Sequence, residues 1–171
     1  IIGYGRIGRE VAKRAHFGFG MKIIVQNRSK INNDVLIRTN AQQVDNLDEL
    51  LEKSDFISLH CPGGTENKHL ISSKQFKKMK NTAILINTAR GEVVDDEALI
   101  SALRENQIAA VGLDVFNDEP NINPGLLKFQ NAILLPHLGS ATQETREAMG
   151  FRVLDNIADF FEGKVPRDRV A

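Results

Sequence analysis

Six residues near the start constrain this chain most: Gly3-Tyr4-Gly5-Arg6-Ile7-Gly8, preceded only by Ile1 and Ile2. The spacing is G-x-G-x-x-G. In a dinucleotide-binding unit this motif follows the first strand of a parallel sheet and opens the first helix. Gly3 permits the sharp turn, Gly5 lets the backbone approach a pyrophosphate, and Gly8 allows tight packing of helix on strand. The helix N-terminus then offers N–H groups and a positive dipole end to phosphates. Alone, the motif could be an ordinary glycine-rich turn. Here Ile7, Val11, Ala12 and Ala15 fall on one helical face after it, Gly18 and Gly20 stop the helix, and Met21 to Val25 reads as the second strand. A two-residue first strand is too short to be natural, so the expectation is that the chain has been cut and that what precedes Ile1 is missing.

At 171 residues the chain can bury a real core. A hydrophobic content of 42% and a charged content of 26% are ordinary for a globular protein. The formal net charge of zero argues against a general nucleic-acid binder or an acidic-membrane binder. No apolar run is long enough to span a bilayer. Cys61 is the only cysteine, which excludes an internal disulfide, and the four histidines form no H-E-x-x-H pair, so no metal site is expected. A reducing, cytoplasmic setting fits best.

Strand-like and helical patterns alternate along the chain. Val44 falls in a short strand. Asn46 can cap a helix carrying Leu47, Leu50 and Leu51, with Glu49 in the capping-box place. Phe56 to Leu59 reads as a strand, Gln75 to Met79 as a short helix and Ala83 to Ile86 as a strand. Asp95 can cap a helix with Leu99, Ala102 and Leu103 on one face. Ala109 to Val115 and Ala132 to Leu135 read as strands. A last helix runs from about Gln143 to Phe161, with an apolar stripe of Met149, Val153, Ile157, Phe160 and Phe161, and Gly163 ends it. This alternation predicts an α/β, Rossmann-type doubly wound parallel sheet.

In such a sheet ligands bind beyond the carboxyl ends of the strands. Those ends carry Gly3-Tyr4-Gly5, Gln26-Asn27-Arg28, His60-Cys61-Pro62, Asn87-Thr88-Ala89-Arg90-Gly91, Asp114 to Glu119, and Pro136-His137-Leu138-Gly139. Arg90, Glu119 and His137 thus follow three consecutive strands and can converge on one crevice. Taken singly, each has a plainer reading: a solvated arginine, a loop entry, a loop histidine. Cys61 reads as a lining residue rather than a nucleophile, and Asp95 and Asp96 as helix-start residues rather than a carboxylate pair.

The segments Ile86-Asn87-Thr88-Ala89-Arg90-Gly91-Glu92-Val93-Val94-Asp95, Gly112-Leu113-Asp114-Val115-Phe116 with Glu119-Pro120, and Pro136-His137-Leu138-Gly139-Ser140-Ala141-Thr142 resemble the signatures of D-isomer-specific 2-hydroxyacid dehydrogenases. The resemblance covers the whole chain, but only the family's nucleotide-binding domain. It implies a dinucleotide-binding domain over 1–163, with 164–171 beginning a C-terminal return to a second, substrate-binding domain. It also implies that Arg90 binds the substrate carboxylate and polarises the keto oxygen, that His137 is the general acid for reduction, and that Glu119 holds the imidazole and favours its charged form. Asp114 would accept from the nicotinamide carboxamide. The implied cofactor contacts are Gly3, Gly5, Arg6, Ile7, Gly8, Asn27, Arg28, Ser29, Cys61, Pro62, Thr88, Asp114 and Gly139. No metal is needed, because Arg90 and His137 supply positive charge where the alkoxide forms.

An NAD-specific unit usually carries an acidic residue at the end of the second strand. Here the stretch reads Gln26-Asn27-Arg28-Ser29-Lys30. Arg28 can grip a 2′-phosphate and Ser29 can donate to it, so NADP(H) is expected over NAD(H), with NAD(H) still usable. Within the family the chain is most similar to glyoxylate/hydroxypyruvate reductases, which implies a small 2-oxo or 2-hydroxy acid substrate and a homodimer. The alternatives are a phosphoglycerate dehydrogenase-like enzyme and a non-catalytic, dinucleotide-sensing corepressor-like module.

Overall fold

The computed structural model describes residues 1–170; Ala171, the last residue of the expected return segment, lies outside the described residues. The chain separates into two compact units, Ile1–Pro136 and His137–Ala171.

The first unit is a parallel sheet flanked by helices. Its elements in chain order are α1 (Arg6–Phe19), β1 (Ile24–Gln26), α2 (Asn33–Leu36), β2 (Gln42–Val44), α3 (Leu47–Lys53), β3 (Phe56–Leu59), α4 (Ser73–Phe76), β4 (Ile84–Asn87), α5 (Asp96–Arg104), β5 (Ala110–Leu113) and β6 (Ala132–Leu134), with short 3-10 turns at 37–39, 91–93 and 126–128. β1 pairs with β2, and β3 through β6 pair in sequence order, all parallel. Ile2 joins the two sets by bridging in parallel to both Gln26 and Leu59. The spatial order is therefore β2, β1, the Ile2 segment, β3, β4, β5, β6. The chain runs outward from Ile2 in one direction and later in the other. That reversal creates a switch point beside Ile2.

Two apolar cores sit against this sheet. The larger gathers Leu50, Ile57, Leu59, Phe76, Leu85, Leu99 and Val111, all essentially inaccessible. The smaller gathers Tyr4, Ala12, Ile23, Val25 and Ile31, and its polar tip is satisfied by a 2.8 Å hydrogen bond between Tyr4 Oη and Thr39 Oγ1.

Several boundaries differ from expectation. α1 continues through Gly18, and Gly20 alone ends it, in the left-handed region at φ 64°. Met21 belongs to that cap: its N–H donates to Ala15 O at 3.1 Å, and the second strand accordingly begins at Ile24 rather than Met21. Ile7 does not join the buried face of α1 but is exposed. Glu49 does not close a capping box. Asn46 Oδ1 accepts from Asp48 N at 2.8 Å, while Glu49 pairs with Lys53 one turn on, at 2.6 Å. The capping box instead stands on α4, where Ser72 and Gln75 supply it. Its helix begins at Ser73, earlier than expected, and α2 had no counterpart in the sequence reading. The fourth strand extends to Asn87, and the fifth, Ala110–Leu113, is shorter than Ala109 to Val115 because pairing with β4 stops at Asn87.

The second unit is one long helix, α6 (Gln143–Phe161), with flanking segments. Thr142 Oγ1 caps it by accepting from Thr145 N at 3.2 Å. After it, Gly163 takes φ 72°. Arg152 holds Asp168 through two hydrogen bonds of 2.6 and 3.1 Å, tying the tail back to the helix. Met149, Val153, Ile157, Phe160 and Phe161 are all exposed.

Candidate active site

Strand register sets the site. Gln26, Ile2 and Leu59 are partners across the switch point, Leu59 is level with Asn87, Asn87 with Leu113, and Leu113 with Leu134. The residues that follow this row leave the sheet along a single edge: Asn27, Gly3, His60, Thr88 and Asp114. The expected functional positions of the first unit therefore share one rim.

At the switch point the glycine turn and the end of β3 meet at close range. A β-carbon on Gly3 would stand 2.7 Å from Cys61 N and 2.7 Å from His60 O, and Gly3 has φ 86°. A β-carbon on Gly8 would overlap Gly3 O, so helix and turn pack without intervening side chains. Gly5 is different: a β-carbon there meets nothing within 4 Å. Gly5 is the N-cap of α1 and provides no side-chain cap, and no acidic residue lies in the first turn. That end of the helix suits an anion.

Beyond β1 lies a polar cavity of about 660 Å³ lined by Asn27, Arg28, Ser29, Lys30, Gln43 and Asp45 among others. Asn27 is its scaffold. Its Oδ1 accepts from Tyr4 N at 3.1 Å, and its Nδ2 donates to Ser29 O and Oγ at 3.0 and 3.1 Å. This side chain thus joins the glycine turn to the basic loop. Gln43, which the sequence reading passed over, reaches across from β2: Oε1 accepts from Ile31 N at 2.9 Å and Nε2 donates to Ser29 O at 3.1 Å. Arg28 Nη1 donates to Glu66 Oε2 at 2.6 Å. Asp45 adds a carboxylate to the cavity that sequence reasoning did not name; Arg28 and Lys30 outnumber it.

After β4, the buried Asn87 shapes the loop that carries Thr88 and Arg90. Its Oδ1 accepts from Ala89 N at 3.0 Å and its Nδ2 donates to Arg90 O at 2.9 Å. Arg90 is exposed, and its Nη1 donates to Ala89 O at 2.6 Å. Gly91 packs directly against the Phe116 backbone, where a β-carbon would overlap it. That contact joins the loop after β4 to the loop after β5, in which Glu119 Oε1 accepts from Phe116 N at 3.0 Å. Glu119-Pro120 is a cis peptide. Asp114 is buried, and its N–H donates to Asn87 O at 3.0 Å. His137, the third member of the expected set, opens the second unit with φ 55°, and Gly139 lies two residues on.

Burial pushes the Cys61 thiol up, which keeps it protonated near neutral pH and fits a lining role. Burial pushes His60 down to about 4, and its Nε2 lies 2.8 Å from Ser58 Oγ. Asp95 serves as the expected cap of α5, with Oδ1 accepting from Ala98 N at 3.1 Å. Asp96 is raised chiefly by burial, and Asn117 Nδ2 donates to it at 2.8 Å. Among the described residues no cluster could hold a metal ion, and no helix is long and apolar enough to cross a membrane.

Residues 1–139 match the D-isomer specific 2-hydroxyacid dehydrogenase family, NAD binding domain. The glyoxylate reductase of Thermococcus litoralis is 50% identical over 170 residues, which cover 99% of this chain and 50% of the relative. The glyoxylate/hydroxypyruvate reductase B of Escherichia coli is 47% identical over 171 residues, covering 99% and 52%. Among solved structures, a glyoxylate reductase from Paecilomyes thermophila superposes with a TM-score of 0.89 at 43% identity, covering 96% of this chain and 49% of that one. An NADPH-dependent glyoxylate/hydroxypyruvate reductase from Sinorhizobium meliloti, in complex with NADP and malonate, superposes with a TM-score of 0.87 at 34% identity, covering 94% and 49%. The chain spans about half the length of the relatives it matches. With a parallel sheet split at its switch point by a glycine turn, and with this match over most of its length, the chain belongs to the D-isomer specific 2-hydroxyacid dehydrogenases through their NAD-binding domain.

Proposed function

We propose that the protein reduces a small 2-oxo acid, glyoxylate or hydroxypyruvate, to its 2-hydroxy acid at the expense of NADPH. The observation that carries this reading is the shared rim: Gly3, His60, Thr88 and Asp114 leave the sheet at one register line, with Cys61 and Arg90 one and two residues further along their loops. The rim fits a dinucleotide. Space is open over Gly5, Ile7 is exposed beside it, and the cavity beyond β1 is polar with a basic loop. Gly3, Gly5, Arg6 and Gly8 would hold the pyrophosphate. Arg28, Ser29 and the loop shaped by Asn27 would hold the 2′-phosphate, and Cys61, Pro62, Thr88, Asp114 and Gly139 the remainder of the dinucleotide. When bound, the reduced nicotinamide supplies the hydride.

Arg90 would bind the substrate carboxylate with its planar fork and draw charge from the keto oxygen. His137 would give the proton to that oxygen, with Glu119 keeping the imidazole charged until then. Relatives named as glyoxylate and hydroxypyruvate reductases support the choice of substrate, and a neighbour that holds NADP supports the choice of cofactor. The segment from 164 onward would return to a substrate-binding domain. The exposed stripe of α6, with open space at Gly150, would pair two copies, which the oligomeric state in solution tests. Reductase assays on the complete protein with glyoxylate, hydroxypyruvate and phosphohydroxypyruvate rank the substrates. A preference for phosphohydroxypyruvate, or for NADH over NADPH, contradicts this reading.

A further inference from the structure

Glu92 sits two residues after Arg90, in the 3-10 turn 91–93, and is half-buried. Its side chain reaches the neighbouring rim loop, where Oε1 accepts from Gly64 N at 2.6 Å. Its own carbonyl accepts from His69 N at 2.8 Å, and Val93 O accepts from Ile71 N at 3.0 Å. The loop after β3 is thus sewn to the loop after β4, and Glu92 supplies two of these three bonds. The consequence falls on Arg90. A β-carbon on Gly63 would overlap Glu92 Oε1 and stand 3.0 Å from Arg90 Cγ and 3.3 Å from Arg90 Cβ. The backbone held by Glu92 therefore lies directly on the aliphatic stem of the arginine.

We propose that Glu92 is a positioning residue for the 2-oxo acid. By binding the Gly64 amide it holds Gly63 against the Arg90 stem and narrows the arc through which the guanidinium swings. The inference rests on the reading of Arg90 as the group that binds the substrate carboxylate. A charge-assisted bond to a backbone N–H is stronger than a neutral one and fixes geometry. Losing it costs substrate binding that is equal in ground and transition states, which appears in KM rather than kcat.

The test uses the complete protein with Glu92→Ala, Glu92→Gln, Gly63→Ala and Arg90→Ala. Glyoxylate kinetics are measured at saturating NADPH, alongside NADPH binding and amide exchange at Gly64. Glu92→Ala is expected to raise KM for the oxo acid about tenfold, with kcat and the NADPH dissociation constant each within about threefold. Gly64 exchange should accelerate. Glu92→Gln keeps an acceptor oxygen and should recover most of the loss. Gly63→Ala puts a methyl where Glu92 Oε1 now lies and against the Arg90 stem, so it displaces the same contact from the other side and should raise KM alike. Unchanged KM in Glu92→Ala, or joint deterioration of KM, kcat and NADPH binding, overturns the proposal while leaving the function standing. If Arg90→Ala reduces glyoxylate as well as the wild type does, the reading of the site fails and this proposal with it.

Discussion

The backbone nitrogen of Cys61 lies 2.7 Å from where a β-carbon on Gly3 would stand. The two residues close the switch point, and no other side chain fits between them. Gly3→Ala must move the end of β3 and also strain a residue at φ 86°. It is expected to cost on the order of 1–3 kcal/mol in urea unfolding. Gly5→Ala points a methyl into open space from a residue at φ −75°, so its stability should fall by less than about 1 kcal/mol. Its dinucleotide affinity should nonetheless fall on the order of tenfold, or 1.4 kcal/mol. Equal effects of the two variants on stability would contradict this division between a folding glycine and a binding one.

Arg28 is shared between Glu66 and the proposed 2′-phosphate. The exposed ion pair is worth at most about 1 kcal/mol, so removing Glu66 has a bounded effect. Glu66→Gln should tighten NADPH by up to about fivefold and leave NADH unchanged by titration calorimetry. Arg28→Ala should weaken NADPH selectively. An equal effect of Arg28→Ala on both nucleotides would remove Arg28 from cofactor discrimination.

The Cys61 thiol is raised by burial. Alkylation needs the thiolate, so a higher pKa means less reactive form at any given pH. Iodoacetamide should therefore label Cys61 more slowly than a free cysteine at neutral pH, with the rate rising only above the range where an ordinary thiol ionises. Bound NADPH should slow it further. Rapid labelling at neutral pH would contradict a thiol held protonated by burial.

Much of the architecture was legible because local signals agreed with the tertiary outcome. Phe56–Leu59 and Gln143–Phe161 fall where the apolar patterns place them. Asp95 and Asn46 cap the helices they precede. What escaped depended on partners distant in sequence or on competition between local bonds. Met21 has strand-forming character, yet the cap of α1 claims its N–H. Glu49 stands in a capping-box position, yet Lys53 one turn away takes its carboxylate. Gln43, Asn87 and Glu92 look like ordinary polar residues in the sequence. Gln43 and Glu92 matter through bonds to Ser29 and Gly64 that only the sheet order makes possible, whereas Asn87 bonds Arg90 three residues on in its own loop. For Asn87 a signal did exist: an amide ending a strand and directly preceding a loop is placed to bond that loop's backbone.

Glyoxylate turnover with NADPH in the complete protein, comparing wild type with Arg90→Ala and His137→Ala, decides whether these two residues carry the proposed reduction. Turnover is expected in the wild type, with a loss of about hundredfold or more in each variant and NADPH still bound within about threefold of wild-type affinity. NADPH binding without reduction of any 2-oxo acid, or wild-type rates in either variant, would contradict that assignment.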